Sequence, residues 1–168
     1  VDTARDGIVF PRGSYRLTRT VTVDLDKHGP LSLTGDGTAR IVMAGTGPAF
    51  HFTGTHDGSA DPAQVKPAVW ERQRNPILRG LEITGAHAEA DGVEFSGVMQ
   101  LTVSECVVRE CRHAIHLTRR NRNVIIANCH LYQNRGIGIF YDSVNLHQSN
   151  ITGCHISYNA GGGIVTRG

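Results

Sequence analysis

The sequence predicts an all-β fold, a parallel solenoid of about six coils, each made of three short strands. Three observations predict it. Short alternations of apolar and polar residues recur along the chain, the period-2 pattern of half-buried strands. A repeat runs through the second half, where Leu81, Cys106, Cys129 and Cys154 hold equivalent positions separated by 25, 23 and 25 residues. Twenty glycines among 168 residues exceed the average usage of roughly 7%, and with Asn, Asp and Ser they occupy most joints between strands. Strands this short cannot close a core within one unit, so the units must stack and share one.

Taken in order, a tight turn falls at Gly35, Asp36 and Gly37. A weaker copy of the repeat holds Leu78, Leu81 and Ile83, followed by Val93 and Phe95. The next copy runs from Leu101 through Val103, Cys106, Val108, Cys111 and Ile115 to Leu117. Val124, Ile126, Cys129, Leu131, Asn134, Ile137 and Ile139 follow in the same rhythm. Ile151, Cys154, Ile156, Asn159 and Ile164 close the series. Cys106, Cys129 and Cys154 form one inward ladder, as buried thiols or, for adjacent coils, within disulfide reach. Asn134 and Asn159 are expected to stack at a turn, where Asn tolerates left-handed backbone.

Residues 54–76 interrupt the rhythm. A loop of that length in a compact repeat is usually functional or disordered. It contains Trp70, the single Trp of the chain, with Arg72 and Arg74 nearby. Trp70 either offers a stacking platform for a sugar, with the arginines as a clamp, or folds down to pin the loop.

Composition narrows the function. With 39% apolar residues and a net charge of +2, disorder is excluded. No apolar run approaches the roughly 20 residues of a membrane helix. The net charge is too small to argue for nucleic acid, and the run Arg119, Arg120, Arg122 reads as a solvated turn. Fifteen of the 17 basic residues are arginine, whose planar fork suits carboxylates and sulfates. Residues 1–168 form a single domain with an insertion at 54–76, expected to be cut from a longer solenoid at both ends. Residues 1–6 look like the tail of an N-terminal element, and no polar cap follows the last strand, so further coils of the same chain are expected.

These units resemble the repeats of the right-handed parallel β-helix, the pectin-lyase-like superfamily, over nearly the whole chain, and residues 7–17 and 31–37 look like the first coils of that family. The resemblance implies an extracytoplasmic or secreted location and a sheet that floors a substrate groove. It leaves the reaction open, because one fold hosts lyases, hydrolases, epimerases, esterases and adhesins. The paired-Asp and Gly-His-Gly signatures of polygalacturonase-like hydrolases and the Asp-Pro-His motif of alginate epimerases are absent. The acidic calcium ligands of pectate lyases are poorly matched, and neither a metal nor a cofactor is expected.

In such helices the groove strand corresponds to residues 49–52, 92–95, 114–117, 136–139 and 163–165. This alignment predicts an outward ladder of His51, Glu94, His116, Gly138 and Val165. Asp91 and His113 precede the strand, and Arg119, Arg120, Tyr141 and Asp142 follow it in turns that wall the groove. The expected catalytic residues are Glu94, His116, Arg119, Tyr141 and Asp142. His51, Trp70, Arg72, Arg74, Asp91, His113 and Arg120 are expected to bind substrate. A lyase needs a group that neutralises a carboxylate, a base and an acid; Arg119 or Arg120, His116 and Tyr141 fill those roles in that order. A hydrolase pairs Glu94 with Asp142 or Asp91. The expected partner is an acidic polysaccharide, uronic or sulfated, and the competing class is a non-catalytic solenoid that binds glycans or serves as a structural module.

Overall fold

The protein is described from a computed structural model that covers residues 7–58 and 61–168; the N-terminal element expected at residues 1–6 lies outside them. The first coil comprises β1 (Ile8–Val9), β2 (Gly13–Leu17) and β3 (Val21–Asp24), then a one-turn helix, α1 (Leu25–His28). The second is β4 (Ser32–Met43) and β5 (Gly47–Thr53), and the third, beyond the 54–76 segment, is β6 (Ile77–Gly85) and β7 (Ala90–Met99). Next come β8 (Thr102–Ser104), β9 (Val107–Arg109) and β10 (Ile115–Ala127), then β11 (His130–Tyr132) and β12 (Ile137–Thr152). β13 (His155–Ser157) and β14 (Gly162–Arg167) complete six coils. Every strand pairing is parallel and joins one coil to the next.

Three sheets enclose the core, and each contributes inward ladders that register across coils. On the first sheet Phe50, Val93, Ile115 and Ile139 stack, beside Phe52, Phe95, Leu117 and Tyr141. The second stacks Leu33, Leu78, Val103 and Ile126. The third stacks Ile41, Ile83, Val108 and Leu131. All of these residues are buried. Period-2 alternation drives this: one face of each strand is apolar and can be hidden only by neighbouring coils. The Gly35–Gly37 turn sits inside β4, where the register shifts between Thr34 and Ala39 and Asp36 accepts from the Thr38 amide at 3.0 Å.

The cysteines and asparagines occupy the corners. Cys106, Cys129 and Cys154 are free thiols that point at the carbonyls of Leu78, Val103 and Ile126 on the coil before, at 3.7, 3.7 and 3.6 Å. Asn134 and Asn159 do stack: the Asn134 side chain accepts from the Cys111 amide and donates to Val108 O and Asn159 Oδ1. The left-handed residues at that corner are not the asparagines. They are Gln133 and Tyr158, one position earlier, with φ of 54° and 52°. The asparagines instead use their amides to satisfy backbone groups where the strand bends.

Residues 54–58 and 61–76 form a strap outside the coils. Gly54 and Gly97 pass so closely that a Cβ on either would lie 2.3 Å from the other's carbonyl oxygen. A short 3-10 turn (Pro62–Gln64) and a π-helical turn (Val69–Gln73) follow. Val65 and Val69 bury against Met99, and Gln73 ties the strap down by accepting from the Thr55 amide at 2.7 Å and donating to Asp26 at 2.7 Å. No helix among the described residues is long and apolar enough to cross a membrane.

Candidate functional site

The outward ladder of the first sheet runs Thr22, His51, Glu94, His116, Phe140, Val165. Phe140 replaces the expected Gly138, because Ile115 pairs with Ile139 and not with Ile137. A slip of two residues preserves which side chains face inward, so alternation could not detect it. Two positions along each strand, Asp24, Thr53, Ser96, Thr118, Asp142 and Arg167 form a second outward ladder.

These two ladders bring four titratable side chains together. His51 Nε2 lies 2.7 Å from Ser96 Oγ and 3.5 Å from Glu94 Oε1. Glu94 Oε1 also accepts from the Thr118 hydroxyl at 2.9 Å. One coil further, His116 Nε2 meets Asp142 Oδ2 at 3.1 Å, and Arg167 donates to Asp142 Oδ1 from Nε and Nη2. The His116 ring stacks on Phe140 with an interplanar angle of 8°, and the Arg167 guanidinium lies over the Phe140 ring, 5.1 Å from its centroid. All four are part-exposed, from 13% for the His116 side chain to 27% for His51. Such packed, mutually bonded groups on a rigid sheet suit acid–base work on a sugar ring.

Their charge states follow from their surroundings. Burial lowers the pKa of His51, against the pull of Glu94 and aided by His116 and Arg119. Burial likewise lowers His113. Burial opposes ionisation of Asp142, but hydrogen bonds from Arg167 and His116 outweigh it and hold the carboxyl below its ordinary value.

The other expected site residues fall elsewhere. Tyr141 does not wall the groove: it continues the inward ladder of Phe95 and Leu117, is 7% exposed, and shares a 2.6 Å hydrogen bond with Ser149. Burial raises its pKa. Asp91 is 1% exposed and is clamped by Arg112 from Nε at 2.9 Å and Nη2 at 2.6 Å, so it fastens a corner. His113 accepts from the Ile137 amide at 3.1 Å and supports the His116 ring at 5.5 Å. Trp70 packs with Val65, Val69 and Met99 under the strap, its indole N–H donates to Pro62 O, and Arg74 lies over its ring. Arg72 turns towards Asp26 at 3.8 Å. Asp142 lies in β12 and not in a turn, while Arg119 is exposed at a left-handed corner and Arg120 is buried just after it.

Ser96, Thr118, Phe140 and Arg167 were missed in the sequence. The signal for Ser96 and Thr118 was present, since each lies two residues beyond Glu94 or His116 and must share its face.

The acid sensitivity of the fold follows from these environments. His51, His56 and His113 have native pKa values below the ordinary 6.5, chiefly through burial. The unfolded chain therefore takes up protons first, and stability, complete above 6.5, falls as pH drops from there towards the native values. A second loss, from Asp142, begins below its ordinary 3.8 and continues through its native pKa. Denaturant titrations from about pH 8 to about pH 3 should show both stages. Constant stability between about pH 6.5 and pH 5 would contradict the histidine assignment.

With the geometry in place, comparison with known proteins identifies the architecture. Residues 66–168 match the family described as right handed beta helix region. The chain belongs to that β-helix family. Among solved structures, ORF18 of Geobacillus virus E2 shares the β-helix fold, with a TM-score of 0.58 and 17% identity over 87% of this chain. The chain spans 33% of the length of that viral protein. No match is found among curated proteins.

Proposed function

We propose that this β-helix domain binds an acidic polysaccharide along the outward face of its first sheet and processes it there by acid–base chemistry. The observation that carries this reading is the row His51, Glu94, His116 and Asp142, spread over four successive coils, in which His51 faces Glu94 at 3.5 Å and His116 bonds to Asp142 at 3.1 Å. The coils repeat about every 4.8 Å, so the row presents groups at a spacing that an extended glycan can follow. Asp142, kept ionised by Arg167, orients His116, while His51, kept neutral by burial, is the stronger candidate for a base. Glu94 stands between the two histidines in the ladder. An extracytoplasmic location accords with such a substrate.

A second reading, a non-catalytic glycan-binding module, draws on one specific observation. His116 Nδ1 is buried without a partner while its Nε2 is engaged by Asp142, so neither nitrogen faces solvent freely. One experiment separates the two. The protein is incubated with polygalacturonate, alginate, hyaluronan and chondroitin sulfate while unsaturated products and new reducing ends are followed. The enzymatic reading expects cleavage of at least one polymer and loss of more than about 100-fold in rate for His116→Ala, with an unchanged unfolding transition. Retained binding without cleavage assigns the domain to the second reading; neither binding nor cleavage overturns both.

A further inference from the structure

The strap and the corner that follows the first sheet border an open cavity of about 690 Å³. That falls within the roughly 300–1,000 Å³ of small-molecule sites. His56, Asp57 and Lys66 line it from the strap, and Arg119, Arg120 and Asn145 line it from the coils. Three permanently basic side chains thus face one carboxylate. Lys66 engages that carboxylate, Asp57, at 2.8 Å, and both are largely exposed. Arg119 is exposed and takes part in no ion pair among the described residues.

Arg120 is the unusual member. It is 8% exposed, yet the partners that hold it are neutral. Its Nη1 donates to Asn145 Oδ1, and its Nε points at His56 Nε2 at 3.5 Å. Burial, followed by the charges of Arg120 and Arg122, lowers the His56 pKa, so that imidazole is a neutral acceptor. Arg120 Nη2 is buried with no hydrogen-bond partner among the described residues. A guanidinium removed from water with a donor unsatisfied is costly, and an anion in the adjoining cavity would offset its charge.

We propose that this cavity is an oxyanion subsite, in which Arg119, above the buried charge of Arg120 and with Lys66 at the rim, holds a carboxylate or sulfate carried on a sugar ring. The cavity volume admits the ring together with its charged substituent. It also adjoins the ladder, because Thr118, the donor to Glu94, immediately precedes Arg119. Assigning the ring to a glycan rests on the function proposed above; the preference for an oxyanion does not.

The test is a titration of the full chain with glucuronate, galactose 6-sulfate and glucose at constant ionic strength, read by calorimetry. Saturable binding of glucuronate, the sulfated sugar or both, with none of glucose, is expected, and the two arms tell carboxylate from sulfate. Arg119→Ala and Arg120→Gln should each weaken binding roughly 10- to 100-fold, while Arg79→Gln, on the second sheet, leaves it unchanged. The Arg119 side chain makes no hydrogen bond or ion pair among the described residues, so its variant reports binding even if Arg120→Gln unfolds. Binding of an anionic sugar without cleavage of any polymer supports the subsite while removing the enzymatic reading. The proposal is overturned if glucose binds as well as glucuronate, if neither anion binds saturably, or if Arg119→Ala binds as the parent does.

Discussion

Phe95→Ala is expected to lower the free energy of unfolding by about 3–5 kcal/mol, a large share of the roughly 5–15 kcal/mol that holds a typical domain together. Phe95 is fully buried and stacks on Phe52 with ring centroids 5.0 Å apart and an interplanar angle of 19°. It lies between Phe52 and Leu117 in the same inward ladder, with hydrogen-bonded backbone on both sides. Truncation removes the transfer energy of the ring and leaves a hole that the fixed coil spacing cannot close. Urea unfolding would show this as a fall in midpoint at constant slope. A loss below about 1 kcal/mol would mean that neighbouring coils collapse into the space.

Asn134→Leu is expected to cost about 3 kcal/mol or more, through a different mechanism. Its side chain satisfies the Cys111 amide at 3.0 Å, the Val108 carbonyl at 3.2 Å and the Asn159 amide oxygen at 2.8 Å. An apolar replacement of similar size keeps the volume but strands these groups, each costing about 1–3 kcal/mol when buried. Asn159 makes a similar bond to Leu131 O at 3.0 Å from a half-buried position, so Asn159→Leu should cost less. Equal losses at the two positions would show that burial does not set the cost.

The two positions also mark how far the sequence could be read. Phe95 and the apolar ladders were legible because a residue's side of the strand depends only on the parity of its position. The coil length was legible because Cys106, Cys129 and Cys154 repeat at nearly constant spacing. What parity cannot give is register, and the 136–139 segment shows why. Ile137 and Ile139 point the same way, so the hydrophobic pattern accepts either as the partner of Ile115. The two-residue slip assigned Gly138 to the ladder in place of Phe140, and it hid the inward position of Tyr141.

The candidate site divides in the same manner. His51, Glu94 and His116 followed from parity and from the groove-strand alignment that the resemblance implies, and the structure brings them side by side. The burial of Arg120 did not, because it depends on a strap that begins more than sixty residues earlier and folds back across the corner. Read locally, Arg119, Arg120 and Arg122 look like a solvated turn. Asp91 misled for the opposite reason, since its partner Arg112 lies one coil away in space and 21 residues away in sequence.

The strap has a consequence for how such a molecule can change. Both of its ends rejoin the stack one coil apart, at β5 and β6, and the rungs on either side keep their pairing across it. Its own small core, Val65, Val69, Trp70 and Met99, borrows only one residue from the coils. It is therefore a detachable part: a descendant could exchange this segment for another of different length and charge and acquire a new appetite for ligands, while inheriting an unaltered spine.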